Sequence, residues 1–371
     1  MRPNYVTLTP HFQFVTMATT KTTFDPNGPA GDNSGIFGLP YTEKEAELVL
    51  IPVPWDVTVS YTTGSGKGPA AILEASKQVD LFLQDVPKAW EHKIYMVPVP
   101  EDMRKQSKKV RKIAEAYMDL LLNNPTAAEG AQGNELLNVI NAACHEMNTW
   151  VYNQSKKYIK AKKKIALIGG DHSTPLGIIQ ALAETGELSI LHVDAHCDLR
   201  NAYENFTYSH ASIMYNVLKT KGIKNIVQVG IRDWCQEEQD LITKSKGRVK
   251  TYFDENLKND QYNGKTWSNL CDEIVKNLGQ RVYISFDIDG LDPKLCPNTG
   301  TPVPGGLEYH QALMLIKKVV ASGRTIAGFD VVEVAPGKND EWDANVGARL
   351  IYQMANQMLV SGKKPVAPSK K

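Results

Sequence analysis

The feature that most limits how this chain can fold is a series of short apolar runs that do not alternate with polar residues. They are KIALIGG (164–170), LSILHVD (188–194), NIVQVGI (225–231), VYISFDI (282–288) and TIAGFDVVEV (325–334). A strand with one wet face alternates apolar and polar side chains, so runs without alternation predict strands covered on both faces. Segments of helical pattern separate them, such as HQALMLIKKVVAS at 310–322. Upstream, AELVLIPVP (46–54) reads as a further strand, GPAAILEASKQVDLFL (68–83) as a helix with Pro69 in its first turn, and 105–160 as largely helical. The fold class expected is α/β, in three layers, with a central, mostly parallel sheet flanked by helices.

No repeat, linker or low-complexity block divides residues 46–362, which predicts a single catalytic domain. Residues 1–45, rich in Thr, Asn, Gly and Pro, read as an N-terminal arm, and 363–371 as a basic tail. Met1 and Met17 are both open as the start. The formal net charge of +1 gives no electrostatic reason to expect nucleic acid or a membrane surface as partner. No apolar run reaches about 18 residues, and no charged segment precedes an apolar leader, so neither a membrane span nor a secretory signal is expected. The five cysteines are scattered and lack CxxC spacing, which predicts a reduced, cytoplasmic chain.

The apolar runs end in polar chemistry. KIALIGG leads into Asp171-His172-Ser173, LSILHV into Asp194, His196 and Asp198, VYISF into Asp287, Asp289 and Asp292, and TIAGFDVV into Glu333. Parallel sheets gather ligand groups outside the carboxyl ends of their strands. Side chains two apart in a strand share a face, and buried carboxylates side by side require a cation or donors. Taken singly, each motif also reads as a turn: an Asx bond at Asp194, a helix cap at Asp171, a bend beside Gly290 and Pro293. Three in order, each at the end of an apolar strand, favour a metal centre. The carboxylate-rich, imidazole-supported inventory suits Mn²⁺ or Ni²⁺ better than structural zinc. The surplus of carboxylates suits two divalent ions per chain, which would activate water without a Ser or Cys nucleophile.

Gly169-Gly170-Asp171-His172-Ser173, Asp194-Ala195-His196-Cys197-Asp198 and Ser285-Phe286-Asp287-Ile288-Asp289-Gly290-Leu291-Asp292-Pro293 resemble the three signatures of the ureohydrolase family. That family comprises arginases, agmatinases, formimidoylglutamases and guanidine hydrolases, and the likeness leans to the agmatinase-like branch. The resemblance implies an arginase-like fold and one ion held by His172, Asp194, Asp198 and Asp287. It implies a second ion held by Asp194, His196, Asp287 and Asp289, with Asp194 and Asp287 bridging. It further implies attack by a metal-bridging hydroxide, with His210 (in TYSHAS) as proton shuttle and Glu333 (in VVEVAP) on the guanidinium. Asp292 is then a support or a turn former, and a homo-oligomer, hexamer or trimer, is expected. Physical chemistry agrees: a carboxylate pairs with a planar guanidinium, and an imidazole relays protons near neutral pH. The plainer alternatives are a loop histidine at 210 and a Glu333–Arg349 pair.

The resemblance implies urea plus ammonia or an amine as products. Guanidine is the first choice of small guanidino substrate and agmatine the second, ahead of arginine, guanidinobutyrate and formimidoylglutamate. RNAYENFTY (200–208) is expected to wall the pocket, with Arg200 placed to meet a substrate carboxylate. Trp342 reads either as a cap on a small pocket or as a buried aromatic, and Asp340, Glu341 and Asp343 as an acidic rim. GSGKGP (64–69) lacks the spacing of a phosphate loop, and His145-Glu146 lacks the second histidine of a zinc-protease helix. Cys197 is assigned to packing. The rivals are a binuclear hydrolase of amidines or acetylated amines, and a non-catalytic partner subunit. The six intact ligand positions argue against the latter.

Overall fold

The computed structural model describes residues 24–31 and 34–362. Eight strands form one sheet: β1 (Leu48–Pro52), β2 (Ile94–Met96), β3 (Lys164–Ile168), β4 (Leu188–Val193), β5 (Ile223–Ile231), β6 (Val249–Phe253), β7 (Arg281–Asp287) and β8 (Thr325–Val332). Their order is β2-β1-β3-β8-β7-β4-β5-β6, and every pairing is parallel.

The missing alternation has its explanation in the packing. Leu48, Leu50, Ala166, Ile168, Ile284 and Phe286 pack on one side of the sheet, and Val49, Ile51, Ile165, Leu167 and Tyr283 on the other. Helices Gly68–Ser76, Trp267–Lys276, Tyr309–Ala321 and Trp342–Val360 contribute to the first core, and Glu101–Asn123, Ala131–Lys160, Leu176–Ala183 and Ile213–Leu218 to the second. Each fully buried aliphatic side chain contributes about 1.5–3 kcal/mol, so two continuous cores can sustain costly polar groups at the strand ends. The three-layer α/β architecture is the one expected.

Local departures have local causes. β2 and β6, the two edge strands, were not anticipated. β2 spans three residues, and β6 (VKTYF) is mostly half-buried or exposed, so neither makes an apolar run. The first helix stops at Ser76 rather than 83, because Leu81 and Leu83 turn inward while Phe82 between them is exposed, a period of two. The 105–160 stretch is broken at Asn124-Pro125, where the Asn124 side chain accepts the Ala127 N–H at 3.2 Å. Ile36, Phe37 and Leu39 are buried, with the Phe37 ring 4.9 Å from Tyr352. Residues 1–23 of the expected arm and the 363–371 tail lie outside the described residues. Among the described residues no helix is long and apolar enough to cross a membrane.

β3, β8, β7 and β4 are consecutive neighbours at the centre of the sheet. Their carboxyl ends lie side by side; Asp287 is the last residue of β7, and the other candidate metal ligands, with Glu333, follow the strands in the chain.

Candidate active site

The β3 end is clamped from two sides. The Asp171 N–H donates to Trp55 O at 2.8 Å, and the Glu333 N–H donates to Gly170 O at 2.8 Å. A Cβ on Gly170 would lie 1.8 Å from Trp55 O, so only glycine permits this approach. Asp171 accepts the Ser173 N–H (3.0 Å) and the Thr58 N–H (3.4 Å) and hydroxyl (3.3 Å), which makes it a loop fastener. Burial nevertheless pushes its pKa up to about 6.

His172 is oriented from behind. Its Nε2 lies 2.9 Å from Ser285 Oγ, whose own hydroxyl donates to Asp330 Oδ2 at 2.9 Å. Ser285 therefore accepts from His172 Nε2–H, and in the neutral ring Nδ1 carries no proton. That bare nitrogen faces Asp194 Oδ2 (3.0 Å), Asp198 Oδ2 (3.0 Å) and Asp287 Oδ2 (3.2 Å), yet it is buried without a hydrogen-bond partner among the described residues. Four electron-rich atoms converging on one point repel one another unless a cation lies among them, and this donor set fits a divalent metal. Burial disfavours an imidazolium here, but the three carboxylates outweigh it and hold His172's proton affinity well above the ordinary value.

The β4 and β7 ends supply the rest. Asp194 Oδ1 accepts the His196 N–H at 2.6 Å, and its Oδ2 lies 2.7 Å from His192 Nε2. His196 Nδ1 lies 3.1 Å from Asp289 Oδ2 and 3.4 Å from Asp194 Oδ1. Asp287 Oδ1 accepts the Asp289 N–H (2.9 Å), and Asp289 Oδ1 accepts the Ala195 N–H (3.1 Å). Two groups able to hold an ion result: His172, His192, Asp194 and Asp198, and then Asp194, His196 and Asp289. Within each, the ligand atoms lie within 4.8 Å of one another, and Asp194 belongs to both. Burial pushes Asp198 up to about 6 and Asp287 well above the carboxylate range. Asp194 is held well below that range, because the His192 and His172 imidazoles outweigh its burial.

Glu333 and Asp198 share a signature absent from the sequence: both have positive φ, 59° and 54°. Non-glycine residues in that region carry strain, and such strain concentrates at functional sites. Glu333 Oε1 accepts the His172 N–H at 2.9 Å, while Oε2 is buried with no partner among the described residues. Burial, then the nearby Asp171, raises its pKa well above the ordinary value. Arg349 donates instead to Gln78 O at 3.2 Å, so the Glu333–Arg349 pair does not form. His210 stands outside the carboxylate cluster, its N–H on Thr58 Oγ1 (3.1 Å) and its ring edge-on to Tyr203. Burial, with His196 and His172 beyond it, pulls His210 down to about 3, leaving a neutral imidazole.

The expected pocket wall differs in detail. The Arg200 guanidinium lies over the Tyr203 ring at 4.7 Å, with its Nε 3.7 Å from Glu238, so its charge is already engaged. Asp343 is buried and accepts the Asn298 N–H (3.0 Å) and side-chain amide (2.8 Å), so it is no part of an acidic rim. Trp342 is 47% exposed, its indole N–H donating to Lys294 O at 2.9 Å, and so is no buried aromatic. Asp292 accepts the Lys294 N–H at 3.0 Å as a turn former. In GSGKGP, the Gly64 and Gly66 N–H groups that would cradle a phosphate donate to Asp56. Cys197 is buried. Sequence reasoning missed His192, Ser285 and Asp330. Each is a polar residue inside an apolar run, and His192 and Ser285 stand two before a ligand position.

The arginase family model matches residues 46–356. The N(1)-aminopropylagmatine ureohydrolase of Thermus thermophilus is 33% identical over 322 residues, 85% of this chain and 92% of that protein. The agmatinase of Klebsiella pneumoniae is 29% identical over 331 residues, 85% and 88% of the two chains. Among solved structures, proclavaminate amidino hydrolase from Streptomyces clavuligerus matches with a TM-score of 0.67 over 89% of this chain and 98% of that one. At 23% identity this is a likeness of fold.

Proposed function

The chain belongs to the arginase family and is a ureohydrolase of guanidino compounds, and from that premise we propose that it cleaves an agmatine-type alkylguanidine to urea and an amine. In this reading His172, Asp194, His196, Asp198, Asp287 and Asp289 hold two divalent ions, Glu333 binds the guanidinium and His210 moves the proton. The observation that carries it is the buried, unpartnered Oε2 of Glu333. Its Oε1 is fixed by the His172 N–H, so the plane of the carboxylate is set and the second oxygen is ready for a planar N–H donor. A guanidinium supplies that donor together with the positive charge the raised Glu333 pKa calls for.

Bound among these donors, divalent ions supply the Lewis acidity that acidifies water and polarises the guanidino carbon. The residues do the remainder. Asp194 is the carboxylate that belongs to both groups of ligand atoms, Asp287 Oδ2 would join the first from 3.2 Å beyond His172 Nδ1, and His196 keeps a quarter of its side chain exposed. His210, kept neutral by its burial, can relay a proton to the departing nitrogen, which cannot leave as an amide anion.

The agmatine class is supported by the names of the relatives and by the engaged Arg200, which withdraws the cation that an amino-acid or formimidoylglutamate carboxylate would need. Asp340 and Glu341 remain exposed for a distal amine. A second reading, free guanidine, has its own support. A Cβ on Gly300 would lie 3.6 Å from Glu333 Oε2 and 3.2 Å from Thr62 O, so two loops crowd the guanidinium position. The test is urea release by protein loaded separately with Mn²⁺ and Ni²⁺, offered agmatine, aminopropylagmatine, guanidine, arginine and guanidinobutyrate at equal concentration. Urea from agmatine or its aminopropyl derivative supports the leading reading. Urea from guanidine alone establishes the second, and no urea from any of them overturns both.

A further inference from the structure

We propose that His192, held in one tautomer by Gln228, is a positioning residue for Asp194, the carboxylate common to both candidate cation groups. The inference rests on the metal-centre reading above and concerns residues that reading does not use.

The hydrogen-bond directions follow from groups with only one possible role. Gln228, on β5, is the register partner of His192 on β4, and both are fully buried. Its side-chain nitrogen lies 2.7 Å from the carbonyl of Cys197, which can only accept, so the NH₂ end of the amide faces that carbonyl. The opposite end accepts the Thr251 hydroxyl at 2.9 Å, which agrees. The same Gln228 nitrogen lies 3.0 Å from His192 Nδ1, so Nδ1 is the acceptor. A neutral imidazole that accepts at Nδ1 carries its hydrogen on Nε2, and Nε2 is 2.7 Å from Asp194 Oδ2.

Thr251, Gln228, His192 and Asp194 thus form a directed chain crossing three adjacent strands, β6, β5 and β4. It ends on Asp194 Oδ2, the oxygen that also lies 3.0 Å from His172 Nδ1. Asp194 Oδ1 is fixed independently by the His196 N–H. With one lone-pair direction of each oxygen occupied, the remaining ones are left for the side where His172 Nδ1 (3.0 Å) and His196 Nδ1 (3.4 Å) lie. His192 falls within ligand distance of the cluster, but a nitrogen that carries a hydrogen cannot coordinate. Its work is to hold a shared carboxylate in the rotamer that serves two ions, and outer partners of this kind typically govern metal affinity by about 10–100-fold.

The experiment compares His192→Leu, which deletes the donor, His192→Gln, whose amide can restore it, and Gln228→Leu, which frees the tautomer. Mn²⁺ binding to each is titrated by calorimetry against a competing chelator, with melting temperature as the check on folding. The expected result is that His192→Leu and Gln228→Leu weaken both binding steps by about 10–100-fold, while His192→Gln stays within a few-fold of the parent. Thr251→Val, which removes only the outermost link, follows in the same direction with a smaller effect and guards against a misfolded core variant. Binding within threefold of the parent in both leucine variants overturns the proposal. Loss of one ion alone, unrescued by His192→Gln, overturns it in favour of His192 as a ligand. A parent protein that binds no Mn²⁺ or Ni²⁺ instead removes the metal-centre reading beneath it.

Discussion

Replacing Glu333 by Gln tests the guanidinium site with the least collateral change. The amide is isosteric, and its oxygen can keep the His172 N–H bond now made at 2.9 Å. Its NH₂ takes the place of Oε2, the buried atom without a partner, and turns a donor towards the donors of a guanidinium. Removing one member of a buried charge pair typically costs about 2–5 kcal/mol, so kcat/KM should fall roughly 30- to several-thousand-fold. Stability should move the other way. The folded-state pKa of Glu333 is raised by burial, so its charge destabilises the native state when ionised and ceases to do so as pH falls and it protonates. The Gln variant should therefore melt higher than the parent at pH 8, with the gain shrinking on acidification and gone by about pH 4, where the unfolded carboxyl also protonates. Urea release gives the first quantity, metal content by mass spectrometry controls for lost ions, and differential scanning fluorimetry from about pH 4 to 9 gives the second. A variant that retains its metal and works within threefold of the parent would refute the guanidinium role. One that loses its metal would make Glu333 a support of the cation cluster instead. One that melts lower at pH 8 would refute the burial reasoning.

Chelation of bound metal should lower the melting temperature, and the stripped protein should become more stable as pH falls from 8 towards 5. Raised pKa values at His172, His196, Asp198 and Asp287 mean that the fold takes up protons there, and Asp198 alone, moved to about 6, adds about 1 kcal/mol by pH 5 of the about 3 kcal/mol reached below its unfolded value. Ser285→Ala strips His172 Nε2 and Asp330 of their shared partner, and should cost about 1–3 kcal/mol on a denaturant curve and weaken metal binding. His210→Gln should lower kcat by about 10²–10⁴ while leaving metal stoichiometry unchanged, and an equal loss of metal would place His210 in the cluster. Gly170→Ala drives a methyl to within 1.8 Å of Trp55 O and should abolish soluble folded protein, which expression and circular dichroism will report.

What the sequence revealed depended on contrast. The strand-end motifs stood out because buried strands offer few reasons for Asp194, Asp287 or Glu333. β6 offered no such contrast, since Lys250 and Thr251 dilute its apolar character. His192 was hidden for the opposite reason. The two-residue period runs His192, Asp194, His196, Asp198, but its first member lies inside LSILHV and is read as strand interior. Ser285 and Asp330 were lost in the same way, as polar residues in the body of a run rather than at its end. Asp343 shows a further limit: a cluster of acids in sequence does not reveal which one turns inward, and its partner Asn298 lies 45 residues away. Positive φ at Asp198 and Glu333 was illegible because glycine usually marks it. A strained acidic residue kept where glycine would be relaxed is itself a sign that the carboxylate is needed there.

The cluster also constrains how many cations it needs. Asp171 and Asp330 are buried carboxylates answered by hydroxyl and backbone donors, from Ser173 and Thr58 in one case and Ser285 and Phe286 in the other. Asp194, Asp198, Asp287, Asp289 and Glu333 are not answered so fully. No lysine or arginine forms an ion pair with any of them among the described residues, and Arg232, the nearby arginine, spends its donors on backbone carbonyls. Five unneutralised carboxylates in a buried rim are prohibitive in isolation. Two divalent ions and one guanidinium carry the same number of positive charges. A single ion would leave a surplus for protons to absorb, at His172, His196 and Asp198 as well as at Asp287 and Glu333, all groups of raised proton affinity. On the proposed reading the charge inventory ties metal loading to substrate binding: two ions would match the four aspartates and leave Glu333 to a guanidinium, the cation whose shape suits its free oxygen.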